Sequence, residues 1–490
     1  SPRPNRVSQF QGEIVMITGT EQQENIWNDM QNGDGHIVVY AGAGVGKTFT
    51  IVEGANRMSG KKAFFAFNKS IATELGERLP DDVVCSTMHS FGFKAIRSAG
   101  RTKMDKSKTF KIIQEVCGSD YFAVPLAKLV SLMKGALVEG NDRQQIARLI
   151  DKFNINFESD MDEVIAYDSL PRIMRMSRDF TTIDFDDMIW IPVVENLPVE
   201  KFDVVFVDEA QDLNEMQRQL IYRCVEPNGR CVVVGDPNQA IYGFRGADSS
   251  SMDMFVDLLK MTSRDINKFP LTLTWRCPKN VVAEANRYVS NFSCREDAED
   301  GFVKEFAEFN PVKDDIVLCR YNAPLAQAFY TLLSEGKSAY VLGRDMHKGL
   351  TNLVKKVARK KLDMDTGEFR VLLIQYGQKE TAKLVKKDKK NQALALADKL
   401  DCIHIFNDRV DTVRQIISEI ERVFSSEGKG DIMLSTVHKA KGLEADNVFL
   451  LATERMPHPK ASNPQEERNI CYVAITRAKK NLYYCGPRPQ

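Results

Sequence analysis

The segment Ala41-Gly42-Ala43-Gly44-Val45-Gly46-Lys47-Thr48 follows directly on the apolar run His36–Tyr40 and restricts the choice of fold more than any other stretch. A strand that enters a glycine-rich turn and leaves as a helix aims amide N–H groups and the positive end of a helix dipole at one point, an arrangement suited to a polyphosphate. The backbone from Gly42 through Ala43, Gly44, Val45 and Gly46 would wrap the anion, with Phe49 just inside the helix. Lys47 is spaced to reach the β- and γ-phosphates and the Thr48 hydroxyl to hold Mg²⁺. Ala41 stands where such loops usually have glycine, so a plain glycine-rich turn is the competing interpretation. A second segment decides between them. Val207-Asp208-Glu209-Ala210-Gln211-Asp212 follows the run Phe202–Phe206, which has the look of a buried parallel strand ending in two carboxylates. Asp208 is placed to coordinate the metal and Glu209 to activate water beside a γ-phosphate. Together they imply hydrolysis of a nucleoside triphosphate on a parallel α/β sheet.

A chain of 490 residues exceeds one ordinary core, so about two to four domains are expected. Hydrophobic residues make up 43% and charged residues 27%, values of ordinary globular protein, and no apolar run is long enough to span a bilayer. Lys+Arg and Asp+Glu balance at 67 each, so net charge alone names no partner. Its distribution is uneven: from Arg344 to Lys399 basic side chains outnumber acidic ones, which fits a solvated helix face and a polyanion-binding patch equally well. Lys355-Lys356 and Arg359-Lys360-Lys361 fit a solvated face better than a nuclear signal. The 10 cysteines form no C-x₂-C pair, which argues against a zinc ribbon or iron–sulfur cluster and for reduced thiols in a cytosol-like compartment.

Short β-rich runs alternate with helical patterns in the first half, at His36–Tyr40, Lys62–Phe67, Val83–Ser86, Phe202–Val207 and Arg230–Val234. Such alternation predicts a parallel sheet whose ligands gather at the carboxyl ends of its strands. Between Ser90 and Ile183 helical periodicity dominates, as in an insertion. A second strand series, beginning at Leu271–Thr274 and ending at Leu482–Tyr484, is interrupted by the basic segment. Further motifs follow these strands. Gly235-Asp236-Pro237-Asn238-Gln239 ends in an amide able to sense a γ-phosphate, and Tyr242 and Phe244 behind it suit either base stacking or core packing. Near the C-terminus, Tyr472-Val473-Ala474-Ile475-Thr476-Arg477 closes an amphipathic run with an arginine suited to act as a finger from a second domain.

Taken in order with Thr20-Glu21-Gln22, Phe67-Asn68-Lys69-Ser70, Ser86-Thr87-Met88-His89, Asp184-Phe185-Asp186-Asp187, Leu273-Thr274-Trp275-Arg276 and Thr436-Val437-His438-Lys439-Ala440-Lys441-Gly442-Leu443-Glu444, these segments resemble the UvrD/Rep/PcrA family of superfamily 1 DNA helicases. The resemblance implies two tandem RecA-like (P-loop NTPase) α/β domains, each with an inserted subdomain. It places the first domain at residues 1–89 and 181–265 with a helical insert at 90–180. The second lies at 266–347 and 427–490 with a reduced basic insert at 348–426. It further implies that Gln22 reads adenine, that Trp275 stacks on it where relatives have tyrosine, that Glu444 lies toward the ribose and that Gly442 belongs to the nucleotide site. By the same resemblance, Arg276 and Arg477 would join Lys47, Asp208, Glu209 and Gln239 around the γ-phosphate. Phe67, Asn68, Thr87, His89, Tyr242, Phe244, Thr436 and His438 would line a single-strand track.

The activity so implied is ATP- and Mg²⁺-dependent translocation 3′ to 5′ on single-stranded DNA with duplex unwinding. The expected partners are single strands, single-strand/duplex junctions and proteins of replication, repair or recombination. A monomer or weak oligomer is expected, with no membrane partner. The compartment is cytoplasmic, at the nucleoid of a bacterium or phage-infected cell, with a nuclear setting left open. Three departures keep alternatives alive. Phe244 replaces a usual tryptophan, the second insert is short, and little sequence follows Arg477 for a strand-separating hairpin. A translocase that strips proteins and unwinds weakly, or a nucleotide-gated DNA-binding module, fits the same motifs.

Overall fold

The strands that lead into the two nucleotide motifs lie in one parallel sheet, built from runs such as His36–Ala41 (HIVVYA) and Phe202–Val207 (FDVVFV) that are buried along nearly their whole length. β-Branched and aromatic residues on both faces mark strands covered by helices on either side. The computed structural model describes residues 18–66, 69–118, 123–153, 155, 157, 159–243, 250–424, 430–458, 461 and 463–489. The first sheet comprises β1 (His36–Ala41), β2 (Lys62–Ala66), β3 (Val83–Thr87), β4 (Phe202–Val207), β5 (Val225–Gly235) and β6 (Ile266–Leu271). Their spatial order is β3-β2-β4-β5-β1-β6, all parallel. The carboxyl ends of β4, β5 and β1 are thereby neighbours, and the segments leaving them carry Asp208, Asp236 and the glycine-rich loop.

The second sheet comprises β7 (Phe302–Lys304), β8 (Ile316–Cys319), β9 (Ala339–Leu342), β10 (Ile432–Thr436), β11 (Ala445–Leu451) and β12 (Ala478–Tyr484), in the order β7-β12-β11-β8-β10-β9. It too is parallel throughout. Two six-stranded parallel sheets in tandem are the expected pair of RecA-like domains.

Two expectations about boundaries need correction. The first domain does not stop at residue 265, because Ile266–Leu271 pairs along β1 and belongs to the first sheet. This strand sits at the edge, where Pro270 lacks an N–H without breaking a ladder, and its polar residues are half-exposed. The expected strand Leu271–Thr274 is accordingly split; Leu273–Thr274 pairs instead with Ser293–Cys294.

The basic segment is also no separate body. Its helices, Arg344–Val357, Thr366–Lys386, Lys390–Asn407 and Val413–Phe424, start before residue 348 and share one core with the second sheet. Leu350, Val354, Ile416, Ile420 and Phe424 join Val317, Val341, Leu434 and Phe449 in that cluster. The carboxylate of Asp398 in turn caps the helix Ala323–Ser334, accepting from the Asn322 and Ala323 amides at 3.0 and 3.1 Å. The lysines ride on the outer side of these helices.

In the first insert, Ile113, Leu126, Leu129 and Ile146 belong to the same core as Phe65 and Val205 of the first sheet. Among the described residues no helix is long and apolar enough to cross a membrane.

Candidate active site

The glycine-rich loop departs from β1 through Gly44 and Gly46, at φ +67° and +79°, a conformation that glycine adopts without strain. A Cβ on Gly44 would also lie 2.5 Å from the Cβ of Arg276, so the loop needs glycine there to admit the second domain's approach. Helix Lys47–Arg57 begins at this loop and puts Lys47, Thr48 and Phe49 on the wall of a cleft of about 1280 Å³. Glu209, Asp212, Gln239 and Tyr242 line it from the first domain, with Trp275, Arg276, Arg295, Lys441, Gly442, Glu444 and Arg477 opposite.

Lys47 Nζ pairs with Glu209 Oε1 at 2.9 Å. Burial opposes the Lys47 charge, but Glu209, Asp208 and Asp236 together hold its pKa above the usual lysine value. Burial also pushes the Glu209 carboxyl up, and Lys47 and Lys441 overcome it, leaving the group at about 2. Asp208 behaves oppositely: burial outweighs the pull of Lys47 and raises it to about 6. Two adjacent carboxyls are thus driven apart, with Glu209 held the more firmly ionised. Glu209 has φ +52°, a left-handed backbone uncommon outside glycine and concentrated at functional sites.

Several buried groups hold this pair. Gln211 donates to Glu209 Oε2 at 2.5 Å and accepts from the Asp236 amide at 2.9 Å. Gln239 donates to Asp236 Oδ2 at 2.7 Å. The Tyr472 hydroxyl, brought from the second domain, accepts from the Ala43 amide at 2.9 Å and donates to Asp236 at 3.3 Å. Lys441 crosses the cleft to Asp212 at 2.6 Å and to the Gln239 carbonyl at 2.9 Å, and lies 5.0 Å from the centre of the Tyr242 ring. Tyr242 in turn donates to the His438 carbonyl at 2.9 Å. Gln211, Asp212, Lys441 and Tyr472 lie within the motifs, yet nothing in the sequence pairs residues more than 200 positions apart.

The two expected arginines are both at the cleft. Arg276 ion-pairs with Glu444, and Arg477 folds onto the Val473 and Leu443 carbonyls at 2.9 and 3.2 Å. Burial and the neighbouring Arg276 lower Arg477 to about 10, which still leaves it cationic at neutral pH. Gly42 and Ala43 lie behind the cleft lining, whereas Val45, although buried, belongs to it. Gln22 lies apart from the cleft lining: its amide donates to Thr272 Oγ1 at 3.0 Å and accepts from the Thr272 amide at 2.8 Å.

Of the expected track residues, Phe67, Asn68 and Phe244 lie outside the described residues. Thr87 caps helix Met88–Ala99, and Thr436 is buried at the end of β10. His89 stacks on Phe185, ring centres 3.8 Å apart, and burial lowers its pKa to about 4, so it is neutral. Phe185 is 57% exposed, an aromatic platform beyond the expected set of track residues. The chain around it is pinned from below: Asp187 pairs with Lys108 and Lys134 at 2.7 and 2.8 Å, and Lys134 also reaches Asp184 at 3.0 Å. Removing one partner of such a buried network strands the others, so Asp187→Ala is expected to lower stability by about 3–5 kcal/mol. Urea unfolding of the variant beside the parent checks this.

Residues 20–259 match the UvrD/REP helicase N-terminal domain and residues 344–485 the UvrD-like helicase C-terminal domain. The chain is 26% identical to F-box DNA helicase protein 1 of Schizosaccharomyces pombe over 94% of its own length and 57% of that protein's. It is 23% identical to the probable DNA helicase II homolog of Mycoplasma pneumoniae, covering 92% of this chain and 82% of that one. To the ATP-dependent DNA helicase PcrA of Bacillus subtilis it is 22% identical, over 92% and 80%. It therefore spans little more than half of the fission-yeast relative and most of the bacterial ones. With both halves matched in order, on two parallel sheets that meet at one charged cleft, the chain belongs to the UvrD/Rep family of DNA helicases.

Proposed function

We propose that the chain is an ATP-driven motor that moves 3′ to 5′ along single-stranded DNA and separates duplex ahead of it. The observation that carries this is the link through Lys441, which joins the carboxylate side of the cleft (Asp212, the Gln239 carbonyl) to Tyr242 and, through it, to His438. Tyr242 and His438 are expected on the strand track, so a change at the γ-phosphate has a short physical route to the DNA.

In this reading Lys47 and the loop amides bind the phosphates, Glu209 takes the proton of the attacking water, and Arg276 and Arg477 meet the charge that develops. Thr48 and Asp208 would supply hard oxygen donors to Mg²⁺, which would neutralise phosphate charge. Such an ion takes most of its other ligands from substrate phosphates and water, so two protein oxygens suffice. Loss and regain of the γ-phosphate then opens and closes the cleft and advances one domain past the other.

Duplexes with 3′ or 5′ tails, unwound in the presence of a trapping strand, test the proposal. Separation of the 3′-tailed substrate alone, abolished in Lys47→Ala, is expected. Separation from a 5′ tail would overturn the direction. A second reading, a protein-displacing translocase that unwinds weakly, is favoured by one observation: the second insert is built into its domain's core rather than standing free as an arm. Displacement of streptavidin from biotinylated ends without strand separation would establish it.

The exposed lysines Lys355, Lys356, Lys386, Lys387 and Lys390 offer the route by which the insert would touch phosphates. Every lysine–phosphate pair that is removed lowers the salt slope of binding by roughly 0.7–0.9. Changing Lys355, Lys356, Lys386 and Lys387 to glutamine is expected to flatten the slope on tailed duplex, read from binding at several salt concentrations. An unchanged slope would assign these lysines to solvated helix surface.

A further inference from the structure

The backbone of the phosphate loop is held by residues that belong to the second domain. Three groups of Ala43 and Gly44 are engaged. The Tyr472 hydroxyl accepts from the Ala43 amide at 2.9 Å. The Thr274 hydroxyl donates to the Ala43 carbonyl at 2.8 Å, and the Trp275 amide donates to the Gly44 carbonyl at 2.8 Å. None of the three partners lies in the first sheet. Tyr472 is on helix Pro464–Ile475, and Arg276 fastens the Thr274–Cys277 stretch to the end of that helix, donating to the Thr476 carbonyl at 3.4 Å. The helix that follows, Lys279–Ala285, is tied to β12 by the Tyr484 hydroxyl, which donates to Glu284 at 3.0 Å. The three contacts therefore travel with the second domain.

Both hydroxyls are rigidly placed. The buried Tyr472 ring meets Phe292 edge-on, centres 5.8 Å apart, and its hydroxyl hydrogen goes to Asp236. The Thr274 hydroxyl, while donating to the loop, accepts from the Arg276 and Cys277 amides at 3.2 and 3.4 Å. The loop is the opposite case. It turns at Gly44 and Gly46, both at positive φ and without a side chain to anchor them. A glycine segment has much freedom to lose, so contacts that fix its shape in advance lower the cost of binding phosphate.

We propose that Tyr472 and Thr274 are positioning residues that hold the phosphate loop in its binding shape only while the two domains are closed, and so time release of the diphosphate. This rests on the nucleotide-cleft reading above and adds a release step to it. Both residues act through the loop backbone. When the domains part, the three bonds are lost together, the loop regains its freedom and the diphosphate leaves. A neutral hydrogen bond is worth roughly 2- to 12-fold in an equilibrium. Tyr472→Phe keeps the ring against Phe292 and removes the bonds to Ala43 and Asp236. It is expected to release diphosphate roughly 3- to 10-fold faster and to raise KM for ATP by a similar factor. The single-turnover rate at saturating ATP is expected to stay within about twofold, because the reacting groups are untouched. Thr274→Val is expected to act in the same direction, and Thr274→Ser, which keeps the hydroxyl, to match the parent.

The test is release of N-methylanthraniloyl-ADP from the full chain, chased with excess unlabelled ADP in stopped flow. Steady-state and single-turnover ATP hydrolysis and a nucleotide-free thermal melt accompany it. Faster release and higher KM in Tyr472→Phe and Thr274→Val, with Thr274→Ser like the parent, would support the proposal. A role confined to packing would lower the melting temperature and leave release alone. Release and KM at parent values in both Tyr472→Phe and Thr274→Val therefore overturn the proposal, whatever the melts show. A single-turnover rate lowered by more than about tenfold at unchanged KM would also overturn it, since the hydroxyls would then serve the reaction rather than the loop. Failure of the parent to bind the labelled nucleotide would instead remove the nucleotide-cleft reading itself.

Discussion

Arg477→Ala is expected to cut DNA-stimulated turnover by roughly 10³-fold or more while nucleotide affinity changes only a few-fold. The guanidinium is almost wholly buried at the cleft and held by backbone carbonyls of its own helix end and of the Leu443 turn. In the proposed mechanism it would meet charge that grows as the γ-phosphate leaves, and that charge is greatest in the transition state. Single-turnover hydrolysis beside nucleotide binding by Trp275 fluorescence separates the two effects. Equal losses in both would show that Arg477 binds the ground state. Arg477→Lys serves as a control, since it keeps the charge but loses the planar fork, and a thermal melt of each variant accounts for the carbonyls left behind.

Glu209→Gln is the next largest effect, a loss of roughly 10²–10⁴ in turnover with ATP still bound. In the parent, Lys47 and Lys441 keep this carboxylate ionised despite its burial, the form that the proposed proton acceptor requires. An amide retains the shape and a partner for Gln211 but cannot take the proton of water. It also releases Lys47 from its ion pair, which favours phosphate binding. A variant that binds ATP, fails to hydrolyse it and still closes on DNA is the expected result. Collapse of ATP affinity would instead make Glu209 a structural or metal-binding group.

Much of this is legible in sequence because the chemistry there is local. A glycine-rich turn needs its own few residues to place Lys47 and Thr48, and a buried strand needs only its own apolar run to deliver Asp208 and Glu209. Pairings across the chain are not legible. Gln22 carries the expected residue type, but its partner Thr272 is 250 positions away. Lys441 sits in a recognisable motif, yet its pairing with Asp212 depends on two domains meeting. The edge strand Ile266–Leu271 is hidden by its mixture of Asn267, Lys268 and Pro270, which an edge tolerates and a central strand would not. The lysine-rich segment misleads through composition. Averaged charge suggests an appended arm, while the apolar stripe of Val413–Phe424 has meaning only against the sheet it covers.

That stripe limits how a chain of this kind can be lengthened or trimmed. Residues 344–424 form one wall of the second domain, and cutting them away would expose Val317, Val341, Leu434 and Phe449 to water as one sticky surface. The room for change lies at the turn around Lys387–Lys389; the turn at Asp408–Thr412 is instead tied back by Val410 against the core and by the pairing of Asp365 with Thr412. New length inserted there would add reach at the rim without loosening the sheet. The second insert of this chain can therefore grow outward from that bend, but its helices cannot be exchanged as a cassette.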